Sequence, residues 1–237
     1  MHVAKAIEST VKMLLKIYDE KKEAVHGAVW GDWYVGKTKS ALKLLKKNKD
    51  VRYMKFPEYR LTDSQFMGQL VLALGYPPRR SFAENFDIAI EVFAAKKARL
   101  VLVIDEAQRL FAKKRFLSIL KDLVERIEVE YPAGLLLLFL GDKTLSKFIT
   151  PHYHSLVKRI LIRKPLEPIT EETIMEIALK YSVEIKEVKE IAKILKKDDI
   201  TTGELDTALY LAAKKGIKEA GIKELENFIS AAVEGIK

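Results

Sequence analysis

A chain of 237 residues can hold one α/β core and a small second domain, because single hydrophobic cores stop growing near about 250 to 300 residues. Its 49% hydrophobic and 32% charged residues exclude disorder on the scale of a domain, and the absence of cysteine excludes disulfides, thiolate metal sites and cysteine nucleophiles. The net charge of +9 is divided into +13 over residues 1–165 and −4 over residues 166–237, so a polyanionic partner is expected to meet the first part of the chain.

The first segment, residues 1–22, predicts an amphipathic helix, because apolar residues recur at helical spacing with charges between them. It lacks the uninterrupted apolar core and the cleavage site of a signal peptide. The most apolar runs, at residues 100–104 and 135–140, are far shorter than the about 20 residues that span a bilayer. A cytoplasmic protein without a membrane segment is therefore expected.

Strands and helices alternate along the first two thirds of the chain. Thr62 or Asp63 is a candidate cap for a helix that ends at Gly75, and Ser81 with Glu84 predicts a capping box for the next helix. A long helix over residues 107–129 is interrupted by a charged patch. The alternation predicts an α/β fold with a mainly parallel sheet flanked by helices. Strands are expected at residues 25–30, 51–56, 100–105, 134–140 and 160–163.

Beyond residue 165 the pattern changes to helices only. Two domains are therefore expected: an α/β core with the N-terminal helix at residues 1–165, and a small all-helical lid or C-terminal domain at residues 166–237. The four helices of the second domain are expected around residues 171–181, 185–197, 203–215 and 223–232.

A phosphate-binding loop is predicted between the first strand and the helix after it. In such a loop, glycines let backbone amides approach the phosphates, Lys37 bridges the β- and γ-phosphates, and Thr38 offers its hydroxyl to Mg²⁺. A plain glycine-bounded turn is the alternative, but the strand before and the helix after favour ATP and Mg²⁺ as cofactors. The pattern of Gly, four residues, Gly, Lys and Thr is matched by Gly31, Asp32, Trp33, Tyr34, Val35, Gly36, Lys37 and Thr38.

Two adjacent carboxylates follow the apolar strand at residues 100–104. Asp105 and Glu106 are expected at the carboxyl edge of the sheet, where open α/β sheets bind ligands. Asp105 can hold Mg²⁺ through water, and Glu106 can act as the general base that polarises the attacking water. Buried strands often end in an acidic residue, so the pair alone is weak evidence. Together with the phosphate loop upstream it indicates a nucleotide site.

Four segments together resemble one branch of the AAA+ ATPases: the phosphate loop, DEAQRL at residues 105–110, LLLLFLGDKTL at residues 135–145 and HSLVKRILIRKPLEPIT at residues 154–170. This branch contains the ATP-dependent target-selection ATPases of Mu-like transposons and the related secretion-pathway ATPase ExeA. The resemblance covers roughly residues 1–170, while the tail is similar only in being helical. It implies a P-loop NTPase core of the AAA+ type with a C-terminal lid.

The resemblance also implies an assembly and its partners. A homo-oligomer is expected, either a ring or a helical assembly, with ATP at the subunit interfaces and a transposase as a candidate partner. Arg159 would be the arginine finger that completes a neighbour's ATP site. The alternative for Arg159 is a surface arginine in a basic run with Lys158, Arg163 and Lys164.

The resemblance implies that the polyanionic partner is DNA, bound with low sequence preference. In the resemblance, the DNA-facing loops follow the second strand and lie in the helix after the Asp-Glu pair. The alternative is a solvated, basic helix face with no partner. The corresponding basic or aromatic residues are Tyr59, Arg60, Lys113, Lys114 and Arg115.

Several positions depart from the wider AAA+ pattern. Tyr34 stands where a third glycine is common, and Asp142 stands where a neutral polar residue usually senses the γ-phosphate. In the lid, Asp206 occupies the place of the usual arginine. Three hypotheses remain open: a transposition regulator that assembles on DNA with ATP, a replication initiator or helicase loader, and a nucleotide-gated scaffold with negligible hydrolysis.

Overall fold

The computed structural model of the chain describes residues 2–32, 36–96, 99–131, 133–150, 152–166, 169–197 and 202–234. The backbone divides into two units. The larger unit consists of Ala6–Trp30 and Thr38–Pro165, and the smaller one of Met1–Lys5, Gly31–Lys37 and Leu166–Lys237.

The larger unit is built on a sheet of five parallel strands in the order β2-β3-β4-β1-β5. Every residue of β4 is buried, and so is every residue of β3 except its first, as expected for parallel strands with helices on both faces. The predicted mainly parallel sheet is confirmed. The strands are β1 (His26–Trp30), β2 (Val51–Lys55), β3 (Arg99–Asp105), β4 (Gly134–Gly141) and β5 (Ile160–Pro165).

Helices alternate with these strands along the chain. They are α1 (His2–Lys21), α2 (Lys37–Lys47), α3 (Asp63–Leu74), α4 (Phe82–Lys96), α5 (Ala107–Phe111), α6 (Lys114–Glu130) and α7 (Leu145–Phe148), and a 3₁₀ turn covers Ser155–Arg159.

The two expected helix starts are confirmed by their hydrogen bonds. Thr62 rather than Asp63 caps α3, in a capping box with Gln65, and Gly75 ends the helix with a left-handed φ of 95°. At α4, the Ser81 hydroxyl accepts from the Glu84 backbone N–H at 3.2 Å, while the Glu84 carboxylate accepts from Ser81. These local bonds satisfy backbone donors that the first turn of a helix leaves free.

The predicted interruption of the long helix is a break between α5 and α6. Ala112 ends α5, and Lys113 stands before α6 with a non-helical backbone of φ −122° and ψ 80°. The break places Lys113, Lys114 and Arg115 at the N-terminus of the 17-residue helix α6.

The smaller unit contains the four expected helices, α8 (Glu171–Lys180), α9 (Val188–Lys197), α10 (Thr202–Lys214) and α11 (Ile222–Glu234). The structure adds a parallel pair of two-residue strands, β6 (Glu184–Ile185) and β7 (Glu219–Ala220), which the sequence did not predict. Two residues are too few to show an alternating pattern. The core of this unit includes Ile174, Leu195, Leu205, Leu209 and Leu225.

Candidate active site

Asp105 lies at the carboxyl end of β3 with only 2% of its surface exposed. One carboxylate oxygen, Oδ2, accepts from the Thr38 hydroxyl at 2.5 Å and from the Tyr53 hydroxyl at 2.9 Å. The other, Oδ1, accepts from the backbone N–H of Glu106 at 2.9 Å. Three donors therefore hold this carboxylate in one orientation, and Thr38 and Asp105, both predicted as metal-site residues, lie together.

Tyr53 reaches Asp105 because of the strand register. Tyr53 pairs with Val103 and Lys55 with Asp105, so alternation puts Tyr53 on the same face as Asp105, two residues away. Burial, and then the negative charge of Asp105, raise the pKa of Tyr53 above its usual range, so the phenol remains a donor. Tyr53 belongs to no motif, and its only sequence signal is its place three residues before the end of a predicted strand.

Glu106 stands where β3 turns into α5, with a left-handed backbone of φ 58° and ψ 36°. A non-glycine residue in this region carries strain, which is common at functional sites. Its carboxylate oxygen Oε2 accepts from the Gln108 amide at 2.9 Å and lies 3.5 Å from Nε of Arg109. The predicted general base is thus held by a neutral donor and a cation.

Gln108 also contacts the end of β4. Its Oε1 accepts from the backbone N–H of Asp142 at 3.4 Å, so this amide joins Glu106 to the β4 terminus. A Cβ on Gly141 would lie 2.9 Å from the same Oε1 and 2.8 Å from Leu145, which leaves no room for a side chain there. Gln108 therefore connects the ends of β3 and β4.

Asp142, the position of the expected γ-phosphate sensor, uses its carboxylate within its own turn. Oδ1 accepts from the backbone N–H of Thr144 at 2.8 Å and from the Thr144 hydroxyl at 2.5 Å. This arrangement orders the residues that lead into α7.

The phosphate-loop segment is described at its two ends. The Lys37 ammonium donates to the backbone carbonyls of Gly31 at 2.9 Å and Asp32 at 2.6 Å. Gly36 has a φ of 86°, which favours glycine, and a Cβ on Gly31 would lie 2.6 Å from Leu166. The predicted nucleotide-binding residues Trp33, Tyr34 and Val35 lie outside the described residues.

The donors around Asp105 fit one kind of metal. A hydroxyl and a carboxylate are hard oxygen ligands, which suit Mg²⁺, and Mg²⁺ usually binds one or two protein groups together with water and substrate phosphates. Within the described ranges there is no group of three or more His, Asp or Glu side chains that could hold a metal alone. Thr38 and Asp105 are therefore the residues that would hold Mg²⁺ together with a nucleotide.

Arg159 ends the 3₁₀ turn before β5, at the amino edge of the sheet, whereas Asp105 and Glu106 lie at the carboxyl edge. Its guanidinium donates to Glu128 Oε2 at 2.5 Å and lies 3.6 Å from Glu125. Glu128 also accepts from the backbone N–H of Ala24 at 2.5 Å. The structure thus does not bring Arg159 to its own chain's carboxylates, and the finger role stays a prediction.

The two groups of expected DNA-contacting residues lie next to each other. Arg115 donates to the backbone carbonyl of Leu61 at 2.6 Å and forms an ion pair with Asp63 at 3.2 Å, both adjoining the loop that carries Tyr59 and Arg60. That loop and the start of α6 therefore share one surface, although they are 54 residues apart along the chain.

The remaining members of this surface are solvent-accessible. Tyr59 is 62% exposed and Arg60 is also exposed. The ammonium groups of Lys113 and Lys114 lie 5.5 Å and 4.7 Å from the centres of the Phe56 and Tyr153 rings. Rings in this position orient the two lysines without neutralising their charges.

The predicted loop, the buried strand and the paired carboxylates are features that this chain shares with a known protein family. The family model described as an AAA domain matches residues 20–148, which is more than half of the chain. The chain belongs to the AAA domain family. The matched range includes β1 to β4, the predicted phosphate loop, Asp105 and Glu106. The AAA+ P-loop NTPase fold expected from the sequence is thereby confirmed.

Solved structures share the fold of this AAA domain protein. The ORC2 protein of Aeropyrum pernix, in its ADPNP–ADP complexes, is 14% identical over 95% of this chain and 66% of its own, with a TM-score of 0.64. The ORC1 protein of the same organism, in complex with DNA, is 14% identical over 94% of this chain and 64% of its own, with a TM-score of 0.62. Domain III of the Thermotoga maritima replication initiation protein DnaA is 17% identical over 93% of this chain and 89% of its own, with a TM-score of 0.53.

The AAA domain protein therefore spans about two thirds of the length of the first two of these chains. No curated protein matches its sequence. Among the helices in the described part of the chain, none is both long enough and apolar enough to cross a membrane.

Proposed function

We propose that the chain is a Mg²⁺-dependent ATPase whose ATP-bound state assembles on DNA. ATP would bind along residues 31–38, and Mg²⁺ would be held by Thr38 directly and by Asp105 through water. The observation that carries the proposal is the contact of the Thr38 hydroxyl with Asp105 at 2.5 Å, directly before Glu106 at the end of a buried parallel strand.

In the hydrolysis step, Glu106 accepts a proton from the water that attacks the γ-phosphorus. The bond from the γ-phosphorus to the bridging oxygen breaks, and ADP and phosphate leave. Bound Mg²⁺ would neutralise charge on the phosphates. Gln108 and Arg109 both engage Glu106 Oε2 and so orient the carboxylate, while its second oxygen would accept the proton.

Replacement of Lys37 by alanine is expected to weaken ATP binding about 10- to 100-fold, since a charge-assisted contact contributes about 1.5–3 kcal/mol. The only tryptophans, Trp30 and Trp33, flank or lie in the loop, so their fluorescence reports binding in the wild type. Lys39→Ala, which removes a lysine two residues further along α2, is the matched control and should bind like the wild type. Emission that ignores saturating ATP in the wild type would contradict the proposed site.

The DNA part of the proposal is supported by the shared basic surface at Tyr59, Arg60 and residues 113–115. This surface includes the N-terminus of α6, where unpaired N–H groups and the helix dipole favour anions such as phosphates. The net charge of +13 over residues 1–165 would attract a polyanion to the same part of the chain.

Joint replacement of Lys113, Lys114 and Arg115 by alanine is expected to flatten the dependence of log DNA affinity on log salt by about one to three units. Each neutralised phosphate contributes about −0.9 to this slope on duplex DNA. An electrophoretic titration of one duplex at several salt concentrations, with ATP present, measures the slope. ATP binding should remain unchanged.

Replacement of the exposed Lys43, Lys46 and Lys47 of α2 removes the same three charges and is the matched control. The control should retain the wild-type slope, because those lysines lie outside the surface. Equal slopes in the two triple variants would mean that the surface is a solvated basic face with no role in DNA binding. A wild-type protein that ignores DNA in the presence of ATP would contradict the DNA part of the proposal.

Two biological roles fit such an ATPase. The resemblance to the Mu-like and ExeA branch favours a transposition regulator whose partner is a transposase. The shared fold of DnaA domain III, which comes from a replication initiation protein, favours an initiator or helicase loader. Recruitment of a transposase would support the first role, and recruitment of a helicase would support the second.

A nucleotide-gated scaffold with negligible hydrolysis is the second candidate function. The contacts of Glu106 with Gln108 and Arg109, together with the carboxylate at Asp142, favour it. Phosphate release measured with and without duplex DNA decides between the two. A scaffold would remain inactive in both conditions while still binding ATP.

A further inference from the structure

Asp105, which the proposed function assigns to a metal, accepts hydrogen bonds from three donors. The backbone N–H of Glu106 holds Oδ1, and the Thr38 hydroxyl approaches Oδ2 from the start of α2. The third donor, the Tyr53 hydroxyl at 2.9 Å from Oδ2, belongs to β2 and to none of the nucleotide motifs.

The three donors differ in their place relative to the proposed Mg²⁺. In the proposed site the Thr38 oxygen is itself a metal ligand, so its proton reaches Oδ2 from within the metal's own ligand set. The Glu106 N–H is part of a strained turn and contacts only the oxygen Oδ1. Tyr53 alone can hold Oδ2 from a position outside the metal's own ligands.

The geometry of the sheet makes this contact specific to a long donor side chain. The β2–β3 register sets Tyr53 opposite Val103, one diagonal step from Asp105, and the neighbouring Met54 is turned to the other face. Threonine or serine at this position would be too short to span the diagonal, and phenylalanine would reach it without a proton to donate.

We propose that Tyr53 is a positioning residue for Mg²⁺, which fixes the Asp105 carboxylate in the orientation that accepts from a metal-bound water. The inference rests on the proposed function, because it gives Asp105 its metal role. Hydrogen bonds to the groups around a metal orient them, and their loss commonly costs about 10- to 100-fold in metal affinity. Tyr53 thus contributes to Mg²⁺ binding, whereas nucleotide binding without Mg²⁺ depends on the predicted phosphate loop.

The test measures ADP affinity by calorimetry in Mg²⁺ buffer and in EDTA buffer, and compares the ratio of the two affinities between proteins. Tyr53→Phe is expected to reduce this ratio about 10-fold while leaving the affinity in EDTA unchanged. Tyr153→Phe is the matched control, because its hydroxyl also makes one short bond, to the Phe111 carbonyl at 2.6 Å, away from Asp105. The control should retain the wild-type ratio.

A second arm tests whether Tyr53 acts through Asp105. In an Asp105→Asn background, the further change Tyr53→Phe should leave the ratio unaltered, because the shared pathway is already lost. Equal reductions by Tyr53→Phe in both backgrounds would overturn the positioning role. So would a ratio unchanged in the Tyr53→Phe single variant, or a wild-type protein that binds ADP equally in Mg²⁺ and EDTA. A wild type that binds no ADP in either buffer would instead overturn the proposed function, and this inference with it.

Discussion

Glu106→Gln is expected to lower the rate of ATP hydrolysis about 10²- to 10⁴-fold, the usual contribution of a general base, while ATP still binds. Glutamine keeps the size of the side chain but cannot take a proton from water. Steady-state phosphate release measures the turnover, and tryptophan fluorescence measures the binding. The combination of retained binding and lost turnover distinguishes a lost base from a lost site.

Glu58→Gln is the matched control for this variant. Glu58 is an exposed glutamate whose carboxylate lies 3.7 Å from Arg109, the same guanidinium that contacts Glu106. The same chemical change should there leave the turnover near that of the wild type. Hydrolysis at the wild-type rate by Glu106→Gln would mean that another group accepts the proton, and would remove Glu106 from the proposed mechanism.

Arg159→Ala is expected to lower hydrolysis about 10³-fold or more if Arg159 completes a neighbour's site, because arginine fingers contribute about 10³ to 10⁵. Mixing it with Lys37→Ala should restore part of the activity. A hybrid interface then joins an intact phosphate loop from one subunit to an intact Arg159 from the next. Phosphate release measured across mixing ratios detects the rescue.

The ion pair of Arg159 with Glu128 offers a competing explanation, because this arginine also connects the 3₁₀ turn before β5 to α6. A purely structural role predicts a lower unfolding temperature for Arg159→Ala and no rescue at any ratio. Glu128→Gln weakens the pair while its carbonyl can still accept from the Ala24 N–H. If Arg159 leaves Glu128 to act on a neighbour, this variant should retain activity.

Arg163→Ala controls for the loss of a nearby positive charge. Arg163 is exposed and belongs to the same basic run, but its guanidinium donates to the backbone carbonyl of Ile160 rather than to a glutamate. It should hydrolyse ATP normally and should not be needed for rescue. Absence of rescue with both variants folded and oligomeric would refute the shared site.

The sheet and the helix starts could be predicted from the sequence because they depend on local chemistry. Apolar or alternating runs of four to seven residues predicted β1 to β5, and Thr62, Gly75 and Ser81 act on backbone groups within a few residues of themselves. The pairing of Thr38 with Asp105, 67 residues apart, was also foreseeable, since the phosphate-loop and strand motifs define a shared edge.

Contacts outside any motif could not be predicted in the same way. Tyr53 reaches Asp105 only through the β2–β3 register, and no residue near Arg159 in the sequence indicates Glu128, 31 positions away. The pair β6 and β7 likewise joins two-residue segments that are distant in the sequence, Glu184–Ile185 and Glu219–Ala220. Such features require knowledge of which elements are neighbours.

The side-chain amide of Gln108 is a hydrogen-bond donor at one end and an acceptor at the other. Its nitrogen donates to Glu106, and its oxygen accepts from the Asp142 backbone. Rotation of the amide by half a turn would present oxygen to carboxylate and nitrogen to N–H, which makes both contacts repulsive. The side chain therefore has one permitted orientation, and a shift of the Asp142 N–H at the end of β4 would change the hydrogen bond that holds the carboxylate of Glu106.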